Sequence, residues 1–237
     1  THESLHQQVF CGNQALNRFL TIVFLNLPIV TPFSTRQTRH FSHHRVLNSV
    51  ADPEQLPWRH FITDSVGRKL LYCLTGTYFA RSALSARACD PRGVSRQRAE
   101  LLMILAYFTI GICGLWLAGR LLEYGILWVL PQVLISPLVN QARTFAEHGG
   151  TEESAISRTT VASVIERVFM YQANFGFHFE HHVWPAIPEA GLPKVHSLLI
   201  ERGFYSRHAE LLQHSGIMFG VSEFLKYTRR RTAPNTE

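Results

Sequence analysis

Thirteen histidines lie in 237 residues, and the chemistry open to them follows from their spacing. The segment H-E-S-L-H sets His2 and His6 four apart. R-H-F-S-H-H places His40, His43 and His44 as H-x-x-H-H, and F-H-F-E-H-H repeats that pattern at His178, His181 and His182. Residues three and four apart share a helix face, so each segment, as a helix, presents its imidazoles to one point. Imidazole binds Zn, Cu, Fe and Ni, and residue type alone does not choose among them. Number narrows the choice. One tetrahedral zinc takes about four ligands, so eight histidines in three clusters suit two metals. From composition alone an H-x-x-H-H arises with an expectation of roughly 0.04, which makes two copies a strong signal and the H-x-x-x-H pair a much weaker one. The plain alternative for each box is a surface histidine cluster with no role.

A shared metal centre needs elements that bring three distant segments together. Residues 101–119, LLMILAYFTIGICGLWLAG, carry no charge. At a helical rise of 1.5 Å they approach the ~30 Å hydrocarbon thickness of a bilayer. Residues 124–142, YGILWVLPQVLISPLVNQA, are also uncharged. Pro131 and Pro137 predict kinks there, which transmembrane helices tolerate. With the short link Arg120–Glu123, the two runs predict an antiparallel transmembrane hairpin; the alternative is a buried helix pair in a soluble protein. The stretch Phe19–Val30 is only twelve residues long and contains Asn26 and Pro28. It predicts an interfacial or re-entrant segment rather than a span.

The hairpin crosses twice, so the second and third boxes fall on one membrane side, and the first joins them if Phe19–Val30 does not cross. Lys plus Arg exceeds Asp plus Glu by 23 − 17 = 6. Residues 34–100 carry eleven Lys or Arg, residues 143–237 carry ten, and the hairpin loop carries only Arg120. The positive-inside rule then puts the boxes in the cytoplasm. The fold class expected is all-α: an integral membrane helical protein with a transmembrane hairpin and a cytoplasmic histidine-rich cap. Residues 1–237 read as a single domain, with a helix from about Asp64 to Ala88 and a disordered tail at 229–237.

The four cysteines, Cys11, Cys73, Cys89 and Cys113, form no C-x-x-C pair, which argues against a disulfide framework or a Cys-rich zinc site. The polar start Thr1-His2-Glu3 has no signal-peptide character. The excess of basic residues without any nucleic-acid module motif points to a membrane face, not nucleic acid.

These boxes and the phrases around them resemble the membrane fatty-acid-desaturase family, over nearly the whole chain from His2 to about Gly203. The likeness covers HESLH with Asn17 downstream, DPE after the second box, NQARTFAEH after the hairpin, and NFGFHFEHHVWPAIPEAGLPKVH at the end. The resemblance implies that His2, His6, His40, His43, His44, His178, His181 and His182 are iron ligands, with His148 of RTFAEH as an extra ligand. It implies two iron ions, O₂ activation, and insertion of a double bond into a fatty acyl chain of a lipid or thioester. Asn174 is a weaker candidate to support the site from the face of His178. Glu3 and Glu180, inside boxes, are either outer partners of the imidazole N–H groups or helix-surface carboxylates. The family normally has one or two transmembrane helices before the first box, so the chain is expected to lack N-terminal helices.

No H-P-G-G haem motif and no rubredoxin-type C-x-x-C is present, so electrons are expected from a separate donor of ferredoxin or cytochrome b5 type. Arg92–Arg98 either docks such a donor or is solvated or faces headgroups. Trp184 and the other tryptophans are expected at the membrane interface. His60, His196, His208 and His214 read as ordinary surface or core histidines. Two rival readings stand beside the desaturase. One is a carotenoid ketolase or hydroxylase of the same superfamily, although RTFAEH and LPKVH look more like acyl-lipid desaturases. The other is a non-redox membrane metal-binding or transport protein, whose site belongs near the midplane between broken helices.

Overall fold

The computed structural model describes residues 2–6, 8, 9, 12–26, 32–47, 49, 52–54, 71, 75, 94–148, 157–216 and 222. The helix expected over Asp64–Ala88, apart from Leu71 and Thr75, lies outside them, as do His60, the end of Phe19–Val30 and the tail. The chain is mostly helical and divides into two compact units. One comprises Thr1–Arg45 with Val66–Pro137, the other Val46–Ser65 with Leu138–Glu237.

The first unit contains α1 (His2–Leu5), α2 (Gln14–Leu20), a π-helical stretch Thr21–Asn26, α3 (Phe33–Arg45) and α4 (Val94–Leu117). After α4 come α5 (Leu121–Tyr124) and two further π-helical stretches, Gly125–Val129 and Pro131–Ile135. Leu5, Ile22, Phe33 and Ile104 form its apolar core, with Phe108 packed on it. Asn13 caps α2 by accepting from the Leu16 N–H at 2.9 Å. One turn later the Thr21 hydroxyl donates to the Asn17 carbonyl at 2.6 Å, and the helix widens into its π-helical form, as such side-chain insertions favour.

Helix α4 begins before the uncharged run and uses its polar first turns as an anchor. The buried Glu100 accepts from Arg18 at 2.8 Å and from the Ser34 backbone N–H and hydroxyl at 3.0 and 2.9 Å. Gln97 donates to the Thr35 hydroxyl at 3.0 Å. Beyond Glu100 the helix turns Ile104 inward and leaves Leu105, Ile110 and Trp116 exposed. Among the described residues this is one helix, over Gln97–Leu117, long and apolar enough to cross a membrane.

Its end differs from expectation. The connection lies at residues 118–120, not at Arg120–Glu123. Gly119 takes a left-handed φ of +67°, its N–H donates to the Trp116 carbonyl at 3.0 Å, and the Arg120 N–H donates to the Leu115 carbonyl at 2.8 Å. This Schellman arrangement stops the helix where glycine alone is unstrained. Leu121 restarts helical structure, and Glu123 pairs with Arg120 at 2.8 Å within the new first turn. The apolar helix that follows, Leu121–Ile135, is shorter than a full span. Pro131 has no N–H to give, and the Ser136 N–H reaches the Pro131 carbonyl in a π-type bond.

Helix α6 (Ser136–His148), in the second unit from residue 138 on, ends on His148. There follow β1 (Thr159–Thr160), α7 (Val164–Phe169), a 3-10 turn Gln172–Asn174, α8 (His178–Val183), α9 (Leu192–Glu201), α10 (Phe204–Arg207) and β2 (Leu212–Gln213). Among the described residues the all-α expectation has one exception, the two-residue parallel pair β1–β2, with Thr159 opposite Leu212 and Thr160 opposite Gln213. The buried Gln213 amide binds this pair to α6, donating to the Ala146 carbonyl at 3.0 Å and to the Thr160 hydroxyl at 2.6 Å. Gly176 sits so close to β1 that a Cβ on it would lie 2.6 Å from the Thr160 carbonyl oxygen. Phe179, Tyr205 and Leu211 form the core under α8.

Candidate metal centre

In the first unit the H-x-x-x-H segment is α1 and the next residue, and the second box is the last turn and a half of α3. Two side-chain amides tie α1 down, one from α2 and one from α3. Asn17 donates to the Ser4 carbonyl at 3.0 Å and Gln37 donates to the Leu5 carbonyl at 2.8 Å. The ligand nitrogens of His2, His6, His40 and His44 all lie within 4.8 Å of one another. The Nε2 atoms of His6 and His44 lie 2.9 and 3.0 Å from that of His40. His43, buried, has its ring centroid 6.0 Å from that of His40.

The second unit builds a matching set. His148, at the end of α6, meets His178 and His182 of α8, with ligand atoms within 4.8 Å of one another. The Nε2 of His178 lies 2.9 Å from that of His148 and 3.0 Å from that of His182. The i and i+4 members of each H-x-x-H-H box therefore converge, as one helix face requires. The buried His181 has its ring centroid 6.0 Å from that of His178. Burial, then the neighbouring His182, His148 and His181, hold the His178 imidazole well below its usual pKa. Burial and His40 bring His6 down to about 4. Both rings are neutral at pH 7 and offer lone pairs.

Clustered imidazole nitrogens at these spacings suit a metal better than one another. A neutral imidazole has a single N–H, so three Nε2 atoms facing one point cannot all be satisfied by mutual hydrogen bonds. Two nitrogens bound at about 2.1 Å and at right angles on one ion are about 3.0 Å apart, which matches the observed pairs. The donor sets fit a first-row metal in each unit.

Outside the imidazoles the second unit holds a feature that the sequence does not foreshadow. Glu180, between His178 and His181, is 0 % exposed, which corrects its reading as a helix-surface carboxylate. It does not serve a box imidazole in the described contacts either. His196 Nδ1 lies 2.7 Å from Oε1, Tyr205 donates its hydroxyl to the same oxygen at 2.6 Å, and Thr159 donates to Oε2. Burial first, then Glu180, pushes the Tyr205 phenol up, so it stays protonated and donating. His196 is thereby a core histidine with a defined partner, while His208 and His214 are exposed. Asn174 does not share a helix with His178. Ala173 and Asn174 both have positive φ, 54° and 66°, α8 begins only at His178, and the Asn174 amide donates to the Glu189 carbonyl at 3.2 Å. Glu147, which no sequence motif singles out, is buried beside His148, with Oε2 3.8 Å from His178 Nε2 and Oε1 3.5 Å from Arg143.

The sequence is similar to known proteins over most of its length. The family model for fatty acid desaturase matches residues 1–215. The chain is 26% identical over 212 residues to a sphingolipid delta(4)-desaturase of Gallus gallus, covering 84% of this chain and 60% of that protein. It is 27% identical over 214 residues to a sphingolipid delta(4)-desaturase/C4-monooxygenase of Homo sapiens, with the same coverage. It is also 24% identical over 205 residues to a zeaxanthin 4-ketolase of Chlamydomonas reinhardtii, covering 82% of this chain and 39% of that protein. The chain thus spans about 60% of the length of the desaturases it matches. With a match that runs from the first histidine box through the third, this chain belongs to the fatty acid desaturase family.

Proposed function

We propose that the protein is a membrane di-iron oxygenase that introduces a double bond into a fatty acyl chain, using O₂ and electrons from a separate ferredoxin- or cytochrome b5-type donor. One observation carries the reading: each unit by itself gathers imidazole nitrogens at ligand spacing, one set from His2, His6, His40 and His44, the other from His148, His178 and His182. Two sets suit two irons, and His43 and His181 supply the remaining imidazoles of the nine-histidine ligand set. When bound, the iron pair supplies the oxidising power that no acid or base side chain has against an unactivated C–H bond. In the overall reaction R–CH₂–CH₂–R′, O₂, two electrons and two protons give R–CH=CH–R′ and two waters. The chain's own residues keep the His6 and His178 imidazoles neutral by burial and orient the ligand set through α1, α3, α6 and α8.

The apolar helices α4 and Leu121–Ile135 form the transmembrane hairpin in this reading, with the 118–120 connection outside and the boxes on the cytoplasmic side. Exposed Leu105, Ile110 and Trp116 on α4 support it, as does the uneven distribution of basic residues. The two sphingolipid desaturases favour a lipid-borne acyl or long-chain-base substrate. The ketolase relative supports a second reading, oxygenation of a carotenoid ring. Expression of the full-length protein in cells that contain both lipid classes, followed by mass spectrometry, separates them. The first reading expects a product two mass units lighter than an acyl or sphingoid precursor. An unchanged acyl pool beside an oxygenated carotenoid would overturn it.

A further inference from the structure

Helix α7 (Val164–Phe169) is inverted for a helix in water. Its one acidic residue, Glu166, is 4 % exposed, while Val164, Ile165, Val168 and Phe169 are 75, 68, 57 and 69 % exposed. At 3.6 residues per turn these four cover an arc of about 140°. The orientation is pinned. The Ser163 N–H donates to Glu166 Oε2 at 2.9 Å, the Glu166 N–H donates to Ser163 Oγ at 3.3 Å, and Ser215 donates its hydroxyl to Glu166 Oε1 at 3.1 Å. Rolling the helix to hide its apolar face would break all three and leave a carboxylate to be resolvated.

We propose that α7 is an interfacial helix that lies on the lipid bilayer, a second membrane contact beyond the hairpin. The occupant of this face is lipid rather than another protein for two reasons. An apolar exterior around a polar interior is the arrangement of a lipid-facing surface, and α4 of the same chain displays it at Leu105 and Ile110. The exposed charge of the helix, Arg167, flanks the apolar arc beside Val164, where a guanidinium meets headgroup phosphate while its stem stays in the apolar zone. The chain's net charge of +6 suits an anionic leaflet. The contact holds the third histidine box's unit at the surface from which an acyl substrate comes. This inference rests on the membrane reading above.

Nitroxide accessibility tests it in the full-length protein, with Cys11, Cys73, Cys89 and Cys113 replaced by Ser, reconstituted in phosphatidylcholine–phosphatidylserine bilayers. Single labels go at Ile165, at Val168, at Ile110 of α4 and at the exposed Glu201. Ile165 and Val168 are both exposed, so either label alone reports. The inference expects several-fold more collisions with O₂ than with a water-soluble nickel chelate at Ile165 and Val168, as at Ile110, and the reverse at Glu201. Nickel-accessible labels on α7 with Ile110 still in lipid would overturn this inference alone. Labels on α7 shielded from both reagents would overturn it too, in favour of a protein covering. Nickel access at Ile110 as well would remove the membrane reading with it.

Discussion

His181 belongs to the box in which three imidazoles fall on six residues of helix. Its ring is buried, and its neighbours His178 and His182 already stand at ligand spacing. His181→Ala removes one imidazole from that set and leaves the apolar helices that carry insertion untouched, so product formation is expected to fall to background while the protein stays in the membrane. His214→Ala, at an exposed position just after β2, is expected to keep near-normal activity. Product levels normalised to membrane content decide. Near-normal product from His181→Ala would place the oxidising centre elsewhere, and a dead His214→Ala at equal abundance would widen the ligand set. Glu180 has a different role, since it anchors α8 to β1, α9 and α10 through Thr159, His196 and Tyr205. Glu180→Leu leaves buried donors without an acceptor, each at about 1–3 kcal/mol, so a loss of roughly 2–5 kcal/mol in unfolding stability is expected. Glu180→Gln keeps one carbonyl acceptor and should lose less. Thermal unfolding in detergent is the measurement, and a Leu variant as stable as the parent would show the network to be incidental.

At the scale of elements, α4 is the best test of what the apolar runs do. Ile110 lies near its middle and is exposed. Ile110→Arg is expected to cost about 2.5–3.5 kcal/mol of insertion free energy if the helix spans a bilayer. A glycosylation-based insertion reporter reads that as a shift toward the non-inserted form, and an unchanged ratio would take α4 out of the membrane. The helices themselves were legible because hydrophobic length and i, i+3, i+4 spacing are local properties. The turn was misplaced by two residues because Gly119 looks like one more apolar position in the run, and only its left-handed backbone marks it as the stop. Glu180's role was hidden for the opposite reason. Its partners lie 16 to 25 residues away, and no local period encodes which of two carboxylates turns inward. For α7, likewise, the apolar face is visible in VIERVF, but the bonds that hold Glu166 inward include one from Ser215, 49 residues away, which no local pattern encodes.

For the molecule as a whole, the proposed function requires the histidines of both units to serve one di-iron enzyme. Family membership comes from the sequence match, and the donor geometry of each unit agrees with it. The metal itself is the point on which the desaturase and the non-redox alternative part. The direct measurement is the metal content of the purified full-length protein, taken with its Mössbauer spectrum. A di-iron centre gives two irons per chain with the spectrum of a coupled pair, and a ratio well below two in His181→Ala. A single zinc or copper per chain, or iron that is retained undiminished when His181 is lost, would contradict it.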